Sequence, residues 1–508
     1  MFKKVVIVYG CQVYKAVLPL IFIPLLISLL GVDKYGMIAF FYTLVGLLGL
    51  LDAGIGGTFL KLIATYKSNA RDYNSVAKIF LKVLLLFVVI SLCLWLFFNL
   101  KENFIITRWL NISINKHEAE YSIKSMGLVL AALYLKSYLS SFINGMEKQE
   151  FITIWGGVYN TIFYFGSYYA LKNIEQSLFV FFSLMKWLAL VDLLMTSLVV
   201  VYVYIKHHKI LSAADSQSIL EFKEYKGSLS LKSVFMFSMQ LSGLSLIWVI
   251  ATQIDKVVLS AYIPLVEYAK YQVAVQVSTS IAIFSAPLSQ LLLPRLSFYY
   301  SNLRLYEYTQ LYCRSLLWFV LILVPIVPYF FIFGSDLISL WMRDNALGGQ
   351  VNNYARWLVA SAFMAAIMNF VFIFLYSVGK LKKHFIAYAI YSSLTIPLSI
   401  FFAKNYGASG SAIFVFSHTL CFMLIWGGLQ LKLRFPSFAF TFFIFSFIIL
   451  IISTLNFILL SVIFSGDSSV LLRTFLPPVS NCIVLFILYC ALKSKINHFV
   501  SSIDMVVK

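Results

Sequence analysis

Residues 248–264 read WVIATQIDKVVLSAYIP. They close a long apolar run, and Asp255 and Lys256 sit side by side inside it. An adjacent acid and base is expensive in hydrocarbon, so the meaning of the pair turns on what the surrounding chain is. Of 508 residues, 61% are hydrophobic and 12% charged, against about 25% charged in a typical soluble protein. Apolar stretches of about 20 residues recur along the whole length, each long enough to cross a bilayer core as a helix. The fold expected is all-α and polytopic. The opening MFKKVVIVYG looks like the basic start of a signal peptide. The apolar stretch behind it runs on to Leu30 with no small-residue cleavage site, so it reads as a retained first span.

Fourteen spans are expected, at about 11–30, 37–62, 79–98, 123–143, 151–171, 178–205, 233–261, 266–293, 311–333, 354–377, 384–403, 408–430, 438–464 and 470–492. Among the connections, one alternating set holds twenty Lys and Arg, including Lys3, Lys67, Lys148, Lys206, Arg295, Lys380 and Lys432. The other set holds eight: Lys34, Lys101, Arg108, Lys116, Lys172, Lys256, Arg343 and Lys404. That imbalance assigns both termini to the cytoplasm. Eleven more cations, Lys15, Lys61, Lys136 and Lys186 among them, fall inside spans or at their edges. Asp52 and Asp192 are the carboxylates placed clearly within spans. A membrane part that is itself positive points to the handling of anions. The net charge of +19 is therefore read against topology and not as a nucleic-acid signal. The six cysteines lie in apolar segments without metal-ligand spacing and read as packing residues. No Walker loop, HExxH or Cys/His cluster is present, so neither a cofactor nor a metal is expected.

The connection 206–232, KHHKILSAADSQSILEFKEYKGSLSLK, is the longest expected on the cytoplasmic side and the most polar stretch of the chain. It separates a six-helix bundle, 1–205, from a second, 233–430. Residues 431–508 add two further spans and a cytoplasmic tail. An offset of 234 residues sets VDKYG (32–36) beside VEYAK (266–270) and Lys61 beside Arg295, as in two parallel repeats with a site between them.

At 100° per residue, Ser238, Ser242, Ser245, Thr252 and Lys256 fall within about 80° of one another along the seventh span. In the eighth, Gln272, Gln276, Thr279 and Gln290 form a similar stripe. Two readings stay open for these stripes. They line a wet cavity, or the small hydroxyls serve close helix packing. Lys256 is either a cavity cation or an anchor at the outer headgroups, with Asp255 positioning it. Lys15 either snorkels or lines the cavity. Lys61 and Arg295 lie at cytoplasmic helix ends, as interfacial anchors or as one cation per half receiving an anionic head group. In LLDAGIGGTFLKL (50–62) three glycines follow Asp52 and loosen a helix. Asp52 and Asp255 are the candidates for gating or ion coupling.

GVDKYGMIAFFYTLVGLLGLLDAGIGG (31–57), INGMEKQEFIT (143–153) and QIDKVVLSAYIPLVEYAKYQVA running into LLLPRLS (253–297) together resemble the polysaccharide-transporter branch of the multidrug/oligosaccharidyl-lipid/polysaccharide exporter superfamily, the O-antigen flippases in particular. Ala269-Lys270-Tyr271 departs from the usual small residue and glycine at that point, and the final third matches only in topology. The resemblance implies a MATE-like pair of bundles in a bacterial cytoplasmic membrane. It implies movement of an undecaprenyl-diphosphate-linked oligosaccharide to the periplasmic leaflet, with polymerase and chain-length machinery as partners and with proton or sodium coupling as an option. Lys15, Lys61, Lys256 and Arg295 would then meet the diphosphate. A cation-coupled multidrug exporter of the same fold would favour intramembrane carboxylates over cations. A membrane polysaccharide polymerase would need a substantial exterior loop, whereas the longest here, about 100–122, holds at most a small helix. An enzyme is not expected.

Overall fold

The computed structural model describes residues 2–52, 55–66, 70–110, 114–215, 231–464 and 469–503. These are helical nearly throughout and contain no strand. In hydrocarbon each backbone N–H and C=O must find its partner within the protein, and a helix does so within one segment. The helices divide into two compact units, Met1–Ala269 and Lys270–Lys508. The first holds α1 (Phe2–Asp52), α2 (Ile55–Tyr66), α3 (Ala70–Leu100), α4 (Glu102–Phe104), α5 (Lys116–Gly145), α6 (Gln149–Asn173), α7 (Leu178–Asp215), α8 (Leu231–Tyr262) and the first turn of α9 (Leu265–Ser301). The second holds the rest of α9, then α10 (Leu305–Leu323), α11 (Ile326–Ile332), α12 (Gly334–Met342), α13 (Asn345–Ser377), α14 (Leu381–Phe422), α15 (Gly428–Arg434), α16 (Pro436–Ile463) and α17 (Val470–Ser501).

Among the described residues, nine helical stretches are long and apolar enough to cross a membrane. Two of them are too long for one crossing. Gly10–Leu51 has 42 residues and Lys382–Arg434 has 53, whereas about 20 suffice for a hydrocarbon core. Each is broken at a glycine: Gly31 (φ 81, ψ 163) in α1 and Gly407 (φ 59, ψ −149) in α14. Backbone angles of this kind are essentially closed to residues with a β-carbon. The bend after Gly31 is pinned by Lys34. Its ammonium donates to Glu118 Oε1 on α5 at 3.0 Å and to the carbonyl of Gln176 at 3.1 Å. Glu118 Oε1 also accepts the N–H of Leu178, the first residue of α7, at 2.5 Å. One carboxylate thus joins three elements.

Past the bend, α1 packs along α8. Gly36 lies against Leu265, where a β-carbon would come within 2.7 Å of the Leu265 carbonyl oxygen. Further along, Thr43 Oγ1 and Tyr268 OH share a 2.5 Å hydrogen bond. The rest of the first unit is centred on α5, which packs against α2, α3 and α7. Phe59, Phe80, Phe87, Tyr138 and Phe142 form its aromatic core. The connection between α3 and α5 holds α4 and a π-helical turn, Ile105–Trp109. From that turn the Trp109 indole donates to Ser260 on α8 at 3.0 Å.

In the second unit α13 is the buried axis, packed on α12, α14 and α11. The last helix, α17, is fastened to the unit through two of its backbone carbonyls. Tyr329 OH donates to the Thr474 carbonyl at 2.8 Å, and Gln310 Nε2 to the Val500 carbonyl at 2.5 Å. Because Gly31 has open space around it, its substitution tests backbone strain alone. Gly31→Ala is expected to cost about 1–3 kcal/mol. Gly10→Ala, also in open space and at an ordinary helical angle, should cost nothing. Thermal unfolding of the two purified variants in detergent checks this, and equal melting temperatures would refute it.

Candidate functional site

Inside the first unit, side chains of α5 and α6 converge on Asp192 of α7. Its carboxylate is 1% exposed. Oδ2 is ion-paired with Lys136 Nζ of α5, and Oδ1 accepts the indole N–H of Trp155 on α6 at 2.8 Å. The Lys136 ammonium also lies 5.5 Å from the ring centroid of Tyr159. Trp155 and Tyr159 are four residues apart, so α6 presents them one above the other on a single face. Gly156, between them, leaves room for the fourth helix. A β-carbon at Gly156 would lie 3.4 Å from Lys15 Nζ of α1. Tyr14 OH and Thr161 Oγ1, 2.7 Å apart, tie α1 to α6 beside it. Lys15 and Lys136 are close enough to repel, and among the described residues no carboxylate forms an ion pair with Lys15. Asp192 neutralises Lys136, and Lys15 beside it adds one net positive charge. An ion taken out of water demands a counter-charge, so this interior is suited to an anion.

Of the residues singled out from sequence, Lys15 lies in this cluster. Lys256 lies in the same unit but turns back on its own helix, donating to the Thr252 carbonyl and standing 3.3 Å from Asp255 Oδ1. Asp255 is 7% and Lys256 14% exposed at the side chain. Thr252 spends its hydroxyl on the Trp248 carbonyl at 2.8 Å. The adjacent acid and base are therefore held by each other and by a backbone carbonyl. Gln272 and Gln276 in the second unit are half-buried, while Thr279 and Arg295 are exposed. The side chains of Asp52, Lys61, Ser238, Ser242, Ser245 and Gln290 lie outside the described residues. Sequence reasoning placed Lys136 and Asp192 within spans and assigned them no role, and it passed over Trp155 and Tyr159. An intramembrane carboxylate is itself a signal, but nothing local pairs positions 136 and 192.

The second unit encloses a cavity of about 580 Å³ between α9, α10, α11, α13, α16 and α17. Its walls include Ile281, Leu321, Pro325, Phe457 and Leu485, and its rim carries the exposed side chains of Trp318, Ile322 and Phe486. The polar groups among its lining are partly spent elsewhere. Tyr329 OH bonds to Thr474, and Asn481 Nδ2 reaches Ser453 Oγ at 3.3 Å. No group of three or more His, Cys, Asp or Glu side chains among the described residues could hold a metal.

The sequence matches the family described as "Polysaccharide biosynthesis protein" over residues 1–299. It is 23% identical over 394 residues to a Shigella flexneri protein named "Putative O-antigen transporter", covering 76% of this chain and 86% of the relative. Among solved structures, the lipid II flippase MurJ in an inward closed conformation superposes with a TM-score of 0.65 at 15% identity. That match covers 96% of this chain and 99% of MurJ. An inward-facing multidrug resistance MATE family transporter of the MOP superfamily gives a TM-score of 0.59 at 12% identity, over 82% of this chain and 94% of its own. At these identities the two structures speak for the fold.

Removing one partner of the buried pair leaves an uncompensated charge. Lys136→Ala is expected to destabilise by about 3–5 kcal/mol, and the double variant Lys136→Met/Asp192→Leu to recover most of that loss. Unfolding of the single and double variants in detergent measures the coupling, and additive losses would show that the pair does not interact.

Proposed function

The chain belongs to the polysaccharide biosynthesis protein family, and from that premise we propose that it is a flippase for a lipid-linked oligosaccharide. The observation that carries the reading is the apolar, open-rimmed cavity of the second unit, of a size that holds a ligand and of a chemistry that suits a hydrocarbon chain. A cation-coupled multidrug exporter of the same fold would favour an intramembrane carboxylate available to a cation, whereas Asp192 is taken up by Lys136 and Trp155. The named relatives support the same choice: one is called an O-antigen transporter and another a lipid II flippase. The likeness to the flippase extends across nearly the whole chain, beyond the share matched by the multidrug transporter.

In this reading the substrate is an undecaprenyl diphosphate carrying the oligosaccharide. A diphosphate cannot cross hydrocarbon unaided. The net positive cluster around Lys15 and Lys136 in the first unit meets it, and Lys61, Lys256 and Arg295 stand as further cations on its route. Asp192 holds Lys136 in place, and Asp52 and Asp255 serve gating or coupling. Two six-helix bundles, 1–205 and 233–430, with two added helices and both termini in the cytoplasm, alternate access across the bacterial cytoplasmic membrane. The flipped lipid is handed to a polymerase and its chain-length machinery. An inside-negative potential favours outward movement of the anion by about 2.3 kcal/mol per charge per 100 mV. Proton or sodium coupling is therefore compatible with transport and not required by it. The role is transport and involves no covalent chemistry.

The test is deletion of the gene, followed by assay of surface polysaccharide and of lipid-linked oligosaccharide accessible from each face of the membrane. Loss of polymer with the intermediate trapped inside is the expected result. Intact polymer with altered resistance to cationic drugs would replace the reading with multidrug export. In proteoliposomes carrying a fluorescent lipid-linked oligosaccharide, Lys15→Ala is expected to slow flipping by about 10–100-fold, the worth of a charged hydrogen bond. Leu485→Trp, which fills the cavity, should slow it as well. Wild-type rates in both variants would reject the assigned site.

A further inference from the structure

From sequence, Arg356 stands at the edge of the span expected at about 354–377 and reads as an interfacial anchor. The helix itself begins at Asn345. α12 lies along its first turns, with Gly334 against Asn352 and Gly348 against Ser339. Arg356 therefore lies about 17 Å in from the helix end. An anchoring arginine keeps its charged head in water. This one is half-buried, its guanidinium carbon 5.9 Å from the Phe331 ring centroid and 5.8 Å from that of Trp357. Its Nε is buried with no hydrogen-bond partner. From Asn345 to Gly466 the sequence contains no Asp or Glu, and among the described residues no carboxylate forms an ion pair with Arg356. Two aromatic rings offset part of the cost of drawing a cation from water. What such a charge still lacks is an anion.

The neighbours hold the guanidinium in place. Asn352, one turn before it, is 7% exposed and donates to the Phe330 carbonyl at 3.3 Å. That bond ties α11 to α13, and the next residue, Phe331, lies over Arg356. Trp357 is braced from two sides, its ring 5.0 Å from Phe331 and 5.5 Å from Phe416 of α14. Asn353 is three residues before Arg356 and four before Trp357, which places all three on one face. Its side chain is exposed, as is that of Gln350 a turn earlier. The indole N–H of Trp357 forms no hydrogen bond among the described residues. One face of α13 thus offers a guanidinium, two amides, an indole N–H and aromatic rings side by side.

A guanidinium edge matches a planar carboxylate through two parallel N–H···O bonds. Amides both donate and accept, as sugar hydroxyls require. A bare phosphate would use the cation, and an acyl chain the rings, and either would leave the amides idle. A sugar acid would use them all, with its carboxylate on Arg356, its hydroxyls on Asn353 and Gln350, and the apolar face of its ring on Trp357. Resting on the flippase reading, we propose that this face of α13 binds an acidic sugar of the transported oligosaccharide, with Arg356 on its carboxylate.

The probes are cellobiose and cellobiouronic acid, which differ by one carboxylate in place of a hydroxymethyl group. Binding of each to the full-length protein in a neutral detergent is measured by saturation-transfer NMR. Wild type is expected to bind the acid about 10–100-fold more tightly, the worth of a charged hydrogen bond. Arg356→Gln should bind the two alike. Arg343→Gln, which removes an exposed charge from the turn between α12 and α13, should keep the wild-type preference. No preference in wild type, or one that survives in Arg356→Gln, would overturn the site. Displacement of the acid by an equal concentration of inorganic phosphate would reassign Arg356 to a phosphate and overturn the sugar proposal. Flipping is assayed separately in proteoliposomes. A wild type that flips no lipid-linked oligosaccharide but keeps the preference would reject the flippase reading and leave the acidic-sugar site standing. Flipping without the preference would reject the site alone.

Discussion

Hydrocarbon offers no partner to a backbone amide or to a charge, and much of the described structure answers that constraint. The backbone answers with helices that satisfy their own hydrogen bonds. Where the chain must reverse within a long helix it does so at Gly31 and Gly407, the residues able to take the required angles. The charges answer by pairing. Asp192 receives an ammonium and an indole N–H, Glu118 receives an ammonium and a backbone N–H, and Lys256 is met by its neighbour and by a carbonyl one turn back.

The pairing is uneven, and the unevenness carries the functional argument. In the first unit Asp192 is paired with Lys136, while Lys15 close by forms no ion pair among the described residues. In the second, the described cavity is walled by aliphatic and aromatic groups, and its Tyr329 and Asn481 are bonded to other helices. A lipid carrying a diphosphate needs one environment of each kind.

The opening pair illustrates how a sequence signal changes meaning in three dimensions. The helical wheel sets Asp255 about 100° from Lys256, which suggests side chains directed apart. A lysine side chain is long enough to fold back over that angle, and Lys256 does so. The stripe of serines, threonine and lysine read from the seventh span's sequence says only that a face is polar. Its neighbours decide whether that face meets water, a ligand or another helix.

The sequence alone determined that the chain is helical and repeatedly membrane-spanning, because hydrophobic length is a local quantity summed along one segment. It also isolated the interior cations and carboxylates, because in an apolar background each stands out singly. Only the tertiary structure decided which of them meet. Lys136 and Asp192 are 56 residues apart, and their contact depends on the rotation of α5 and α7 about their axes. That rotation is set by the packing of many side chains at once, Trp155, Gly156 and Tyr159 among them, and no single stretch of sequence encodes it.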